Sequence, residues 1–278
     1  MEEINVKFSV LMSIYKNEKA IYLEECFNSL LSQSLPANEW IIVEDGPLTS
    51  ELYDVINKYK YNFPELIKIV KLEKNLGLGL ALAEGIKHCS YDIVARMDTD
   101  DIAMSNRFEV QIRYFIENPD LDIIGGQIKE FDGNINNIIS ERIVPLSEKK
   151  IEKYQKYRCP FNHMTVMYKK QTVLDAGNYM DYLYMEDEVL WANMKKHNAK
   201  MLNTSDYLVY ARSGKDMFDR RGGKKYYCNY KKARKYILEI GCINRFHYSI
   251  GCVVQFITCF SPSWVRRLIF IILLRKKS

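Results

Sequence analysis

From residue 8 to residue 98 the chain alternates short aliphatic runs with segments whose apolar residues recur every three or four positions, and this alternation constrains the fold more than any other feature. Phe8-Ser9-Val10-Leu11-Met12-Ser13-Ile14, Trp40-Ile41-Ile42-Val43, Ile67-Lys68-Ile69-Val70 and Tyr91-Asp92-Ile93-Val94-Ala95 read as strands. Leu23, Cys26, Phe27, Leu30 and Leu31, then Leu52, Val55, Ile56 and Tyr59, mark helical stripes between them, and a third helix spans about residues 77–88. Strands this short and apolar, separated by helices, predict an α/β fold: a doubly wound, mainly parallel sheet with helices on both faces. Beyond residue 120 the rhythm loosens into Ile123-Ile124-Gly125-Gly126, a strand-like stretch at 163–168 and a helix after Asp187. This half is expected to continue the same sheet and build a second substrate's pocket. With 278 residues and 47% hydrophobic content, the chain can fill such a core.

In an open α/β sheet the carboxyl ends of the strands face the ligand crevice. Three loops should therefore meet: Ser13-Ile14-Tyr15-Lys16-Asn17-Glu18, Glu44-Asp45-Gly46, and Arg96-Met97-Asp98-Thr99-Asp100-Asp101. Carboxylates are hard ligands suited to Mg²⁺ or Mn²⁺, ions that take few protein ligands and fill the rest with phosphate and water. The pocket is thus expected to hold a nucleoside diphosphate, with Asp45 accepting from a base N–H, Asp98 from ribose hydroxyls, Asp100 on the metal and Arg96 on phosphate. Taken alone, the acidic triplet reads equally as a turn leading into the helix that starts near Ser105. Asn75-Leu76-Gly77-Leu78-Gly79 is no dinucleotide loop, because Leu82 stands where the third glycine belongs and the loop follows the third strand. Glu186-Asp187-Glu188 fits a helix amino terminus by itself, since acids there favour the dipole.

Basic residues dominate from Lys215 onward within a modest net charge of +5, and no nucleic-acid partner is expected. Seven scattered cysteines without a Cys-x-x-Cys pair argue against a zinc site and a disulfide framework, which fits a reducing cytoplasm. The acidic start, Met1-Glu2-Glu3, lacks the features of a signal peptide. The apolar run from Leu268 to Leu274 is far shorter than the roughly 20 residues that span a bilayer. Together with Trp264, Arg266 and Arg267 it suits the surface of an anionic leaflet, the alternative being a helix docked on the protein's own core.

Five motifs in order, Ser9 to Tyr15 with Asn17-Glu18, Val43-Glu44-Asp45-Gly46, Asn75-Leu76-Gly77-Leu78-Gly79, Arg96 to Asp101, and Glu186-Asp187, resemble those of glycosyltransferase family 2, which has the GT-A fold. The resemblance spans about residues 7–212, and residues 162–170 resemble the subgroup that builds bacterial O-antigen and exopolysaccharide repeat units.

The resemblance implies an inverting transfer of a hexose, glucose or galactose, from a UDP-sugar to a polyprenyl-diphosphate-linked sugar at the cytoplasmic face of the inner membrane. It implies Asp45 on uracil, Asp98 on ribose and diphosphate, Asp98 and Asp100 with Mn²⁺ or Mg²⁺, and Asp187, beside Glu186, as the base. Ser13, Tyr15, Glu18, Asn75, Gly77 and Arg96 would complete the nucleotide-sugar pocket, and His163, Arg220 and Arg221 would border the acceptor or its diphosphate. The Gln-x-x-Arg-Trp motif of processive members is missing, so a single addition is expected. Residues 1–215 are taken as the catalytic domain, with a donor half at 1–120 and an acceptor half at 121–215. Residues 216–278 form a basic helical region. Two other readings stand beside this one. A sugar nucleotidyltransferase would need a Gly-rich loop where Tyr15-Lys16-Asn17-Glu18 stands, and a non-catalytic sugar- or membrane-binding module would not be stabilised by metal and nucleotide.

Overall fold

Strands β1 (Phe8–Ile14), β2 (Glu39–Glu44), β3 (Ile67–Lys71) and β4 (Ile93–Arg96) run parallel in the order β3-β2-β1-β4. The structure, a computed structural model, describes residues 6–213, 221–262 and 264–266. Successive side chains of a strand face opposite sides, and β1 shows the consequence. Val10 and Met12 join Leu23, Phe27, Leu52 and Ile56 of helices α1 (Ala20–Leu31) and α2 (Ser50–Asn62) in one core. Leu11 joins Ala81, Leu82 and Ile86 of α3 (Leu78–His88) in the other. The sheet is thus covered on both faces, as the alternating pattern requires.

The second half continues this sheet with mixed direction. After the short β5 (Ile102–Ala103) and α4 (Arg107–Glu117) come β6 (Ile123–Phe131), β7 (Ile138–Arg142) and α5 (Glu148–Gln155). Then follow β8 (Met167–Lys169), α6 (Lys170–Asp175), α7 (Glu186–Lys196) and β9 (Met201–Arg212). β8 lies antiparallel between β4 and β6, β9 is parallel to β6, and β5 closes the edge antiparallel to β9.

One sequence expectation needs correction here. The stretch 163–168 divides into a 3-10 turn, His163–Thr165, and a strand that begins only at Met167. Thr165 breaks it: its Oγ1 donates to the Asn162 carbonyl at 2.7 Å, a local bond, and accepts from the distant Gly126 N at 3.0 Å, and the two replace a sheet ladder.

Helices α8 (Gly223–Glu239) and α9 (Arg245–Phe260) follow. α8 docks on α7, where Tyr230, Ala233 and Ile237 pack with Met185, Val189 and Ala192. Arg234, fully buried, donates to Glu188 at 2.8 Å. Removing one partner of such a pair strands the other charge. Glu188→Ala should therefore cost about 3–5 kcal/mol in a denaturant melt, and a loss under about 1 kcal/mol would show that the pair does not hold the helices together. α9 lies on α8, and the guanidinium of Arg266 donates to the Thr258, Cys259 and Ser261 carbonyls that end α9. Arg266 is thus a buried helix cap and not the membrane-facing cation expected from sequence. Arg267 and the run from Leu268 to Leu274 lie outside the described residues. Among the described residues no helix is long and apolar enough to cross a membrane.

Candidate active site

The strand ends bring the acidic turn, the β1 loop and the β2 loop together. Thr99 Oγ1 donates to Glu18 at 3.3 Å, Met97 N donates to the Leu11 carbonyl, and Asp45 N donates to the Ile14 carbonyl. Ser13 and Tyr15 stand half-buried at the β1 exit.

The Asp45 carboxylate is buried and already engaged. It accepts from Asn75 Nδ2 at 2.9 Å, Leu76 N at 2.6 Å and Gly77 N at 3.0 Å. Asp45 thereby shapes the loop before α3, leaving spare acceptor capacity on Oδ1 for a base N–H. Gly77, at φ +90°, makes the turn into α3. Gly79 serves a different purpose: a Cβ there would lie 2.8 Å from Glu186 Cβ, so its absence lets the start of α7 approach the start of α3.

Asp98, Asp100 and Asp101 each place a carboxylate oxygen within 4.8 Å of the other two. Burial foremost, then the neighbouring carboxylates, raises Asp100 and Asp101 above the usual carboxylate range. Crowded oxygens of one sign are what a hard divalent cation relieves, so the donor set fits Mg²⁺ or Mn²⁺. The sequence reading named Asp98 and Asp100 for the metal and left out Asp101. It also left out Arg212, whose backbone N–H donates to Asp101 Oδ1 at 2.7 Å and whose Nε donates to the Asp100 carbonyl at 3.0 Å. No local signal could have revealed Arg212, since only the β9–β5 pairing brings it to the turn.

Arg96 takes a different place from the one expected. It is 1% exposed and its Nη2 donates to Asp98, while Nε and Nη1 are buried without a hydrogen-bond partner. It braces Asp98 from beneath instead of opening onto phosphate. His163 belongs to the same layer. Its Nε2 lies 2.9 Å from the Tyr179 hydroxyl, and burial, helped by the Arg96 charge, keeps its pKa well below the usual imidazole range. Its ring packs against Tyr179 and Trp191, with centroids 5.6 and 5.9 Å apart.

At the start of α7, Asp187 is held by two donors, Glu188 N at 2.8 Å to Oδ1 and Cys159 Sγ at 3.3 Å to Oδ2. Glu186 is 8% exposed, and burial with the Asp187 charge pushes its pKa up to about 7, Asp98 adding and Arg96 opposing. The start of α7 thus lies within electrostatic reach of Asp98 and Arg96. Burial pushes the Tyr226 phenol up to about 12, with Arg221 opposing and Glu188 and Asp187 adding. Arg220 lies outside the described residues.

A carboxyl whose pKa rises on folding is held most strongly in its protonated form. Its contribution is intact below about 4.5 and is lost as pH climbs through about 7. Glu186→Gln should therefore leave stability nearly unchanged at pH 4 and raise it at pH 8, by up to about 3 kcal/mol. Denaturant melts at the two pH values test this, and an equal gain at both would contradict it.

Residues 9–176 match glycosyl transferase family 2. The amylovoran biosynthesis glycosyltransferase AmsE of Erwinia amylovora is 41% identical over 219 residues, covering 79% of this chain and 81% of that protein. The Escherichia coli UDP-Gal:alpha-D-GlcNAc-diphosphoundecaprenol beta-1,3-galactosyltransferase is 35% identical over 271 residues, 97% of each chain. Among solved structures, S. aureus TarS 1-349 in complex with UDP-GlcNAc aligns at TM-score 0.65 and 20% identity over 95% of this chain and 75% of that one, a likeness of fold. With its motifs in order and its strand ends arranged around the acidic turn, the chain belongs to glycosyl transferase family 2 and has the GT-A fold.

Proposed function

We propose that this chain is an inverting, non-processive hexosyltransferase that moves glucose or galactose from a UDP-sugar to a lipid-diphosphate-linked sugar in bacterial surface-polysaccharide synthesis. The observation that carries this reading is the Asp98, Asp100 and Asp101 cluster after β4, with the Glu186-Asp187 pair at the start of α7 packed close to Gly79 of α3. Two relatives support donor and acceptor: one is a beta-1,3-galactosyltransferase that takes galactose from UDP-Gal to alpha-D-GlcNAc-diphosphoundecaprenol, and the other serves amylovoran synthesis.

Residues 1–120 hold the donor in this reading, and residues 121–215 hold the acceptor. Ser13, Tyr15, Glu18 and the loop that Asp45 fastens at Asn75 and Gly77 frame the nucleotide. Asp98 and Asp100, with Asp101 beside them, would hold Mn²⁺ or Mg²⁺. When bound, the ion supplies positive charge against the diphosphate. Asp187 accepts the proton of the acceptor hydroxyl, whose oxygen attacks the anomeric carbon from the face opposite the departing UDP. The new C–O bond forms as the bond to the β-phosphate oxygen breaks, so an α-linked donor yields a β-linked product. The chain works at the cytoplasmic face of the inner membrane.

The test offers UDP-galactose and UDP-glucose with synthetic GlcNAc- and GalNAc-diphosphate-lipid acceptors and Mn²⁺. One donor should give a β-linked disaccharide by NMR. Failure of every pairing, with no UDP released, would remove the hexosyltransferase reading, and an α-linked product would overturn inversion.

A further inference from the structure

α9 carries one apolar face that is largely exposed among the described residues. Phe246, Ile250, Val253, Ile257 and Phe260 recur at helical spacing along it, and Phe246, Val253 and Ile257 are 63%, 60% and 56% exposed. The opposite side, with Gly251, Cys252, Thr258 and Cys259, is the one buried against the protein. Val254 and Phe256 widen the exposed stripe, and Trp264 beyond the helix is 71% exposed. Isolated surface hydrophobes are ordinary, whereas a continuous stripe of this size marks a docking surface.

Charge selects the occupant. Residues 221–278 contain thirteen Lys and Arg against one acid, Glu239, and no Asp or Glu follows it. Tyr227 of α8 meets Phe256 and Phe260 edge to face, with ring centroids 5.5 and 6.1 Å apart. Exposed Lys224 and Lys231 stand about one turn before and after Tyr227, on the same stripe of α8, so the apolar face has a cationic rim. A second copy of the chain would bring two such rims together and repel, whereas an anionic leaflet complements both the apolar face and its rim. The helix has 16 residues and is about 24 Å long, which suits lying in the interface.

We propose that the outer face of α9 docks the protein on the surface of an anionic lipid bilayer, lying in the headgroup region with Trp264 at its edge. The proposal deepens the lipid-acceptor reading and rests on it for its purpose. α8 ties the docked face to the acceptor side through Arg234 and Glu188, so docking at α9 keeps the start of α7 near the membrane where a lipid-linked acceptor lies.

The experiment floats the full-length protein with phosphatidylcholine vesicles, with and without phosphatidylglycerol, and follows tryptophan emission. Trp40 and Trp191 are buried, so a blue shift reports Trp264. Wild type should bind the anionic vesicles with a blue shift, and salt should weaken binding. Val253→Asp with Ile257→Asp should lower the partition coefficient at least about tenfold, because each replaces inserted apolar surface with charge. Lys224→Glu with Lys231→Glu should weaken binding and blunt its salt dependence. Stabilisation by UDP with Mn²⁺ shows that each variant is folded. Flotation of the Val253/Ile257 variant equal to wild type would overturn the proposal. So would a wild type that ignores vesicles but sediments as a dimer that these substitutions dissociate, which would assign the face to a second copy. Vesicle binding without transfer to any acceptor would sink the transferase reading alone, and transfer to a short-chain soluble acceptor without vesicle binding would sink this proposal alone.

Discussion

Replacing Asp187 by Asn should lower glycosyl transfer by ~10²–10⁴-fold, the usual worth of a positioned general base. The substitution preserves size, and the amide oxygen can still accept one of the bonds that Glu188 N and Cys159 Sγ now donate, so the start of α7 should keep its place. What disappears is the ability to take the acceptor's proton. UDP affinity should change less than about twofold, because the residue serves the acceptor side, and the deficit should fall on kcat instead of on donor KM. A transfer rate within about tenfold of wild type would take Asp187 out of the mechanism and leave Glu186 as the other acid at the helix start.

Asp100→Ala should abolish the metal dependence of nucleotide binding. For the native protein, UDP at a hundredfold over its Kd in Mn²⁺ should add about 2.7 kcal/mol of stability, which raises the Tm by roughly 5–10 °C in a chain of this size, and EDTA should remove most of that gain. The variant should show little difference between Mn²⁺ and EDTA. Without ligands the effect has the opposite sign. Burial and the charges of Asp98 and Glu18 raise Asp100 above the usual carboxylate range, so holding it ionised above its folded pKa opposes folding. Removing it should therefore raise the melting temperature of the ligand-free protein at pH 8 and change it little at pH 4. A variant that binds UDP with an undiminished Mn²⁺ effect would assign the metal to Asp98 and Asp101 alone.

The sheet and its crevice were legible in sequence because they depend on local pattern. Short aliphatic runs marked β1, β2 and β3, a period of 3.6 residues marked the helices between them, and the parallel alternation dictated which strand ends open on one side. The acidic turn and Glu186-Asp187 were visible for the same reason, as short runs at recognisable boundaries. Thr165, by contrast, ends its would-be strand with bonds to Asn162 and Gly126, one of them from 39 residues away. Sequence spacing cannot foresee that competition between side-chain bonds and a ladder.

What only the tertiary structure decided is which polar groups face one another and which stay open to a ligand. Sequence alone offered Arg96 as a phosphate ligand and Arg266 as a membrane cation, because a cation in a string of letters has no direction. Folding turned Arg96 beneath Asp98 and Arg266 onto the carbonyls that end α9, and it brought Arg212 across the sheet to the acidic turn. The apolar face of α9 was hidden in the same way: its period predicts a helix but not which side is buried. Burial is settled by the whole packing, since the free energy of a charge or an apolar surface depends on what surrounds it and not on its neighbours in sequence. The sequence by itself thus determined the family, the sheet and the loops at the strand ends, and the fold decided which of their side chains hold others in place.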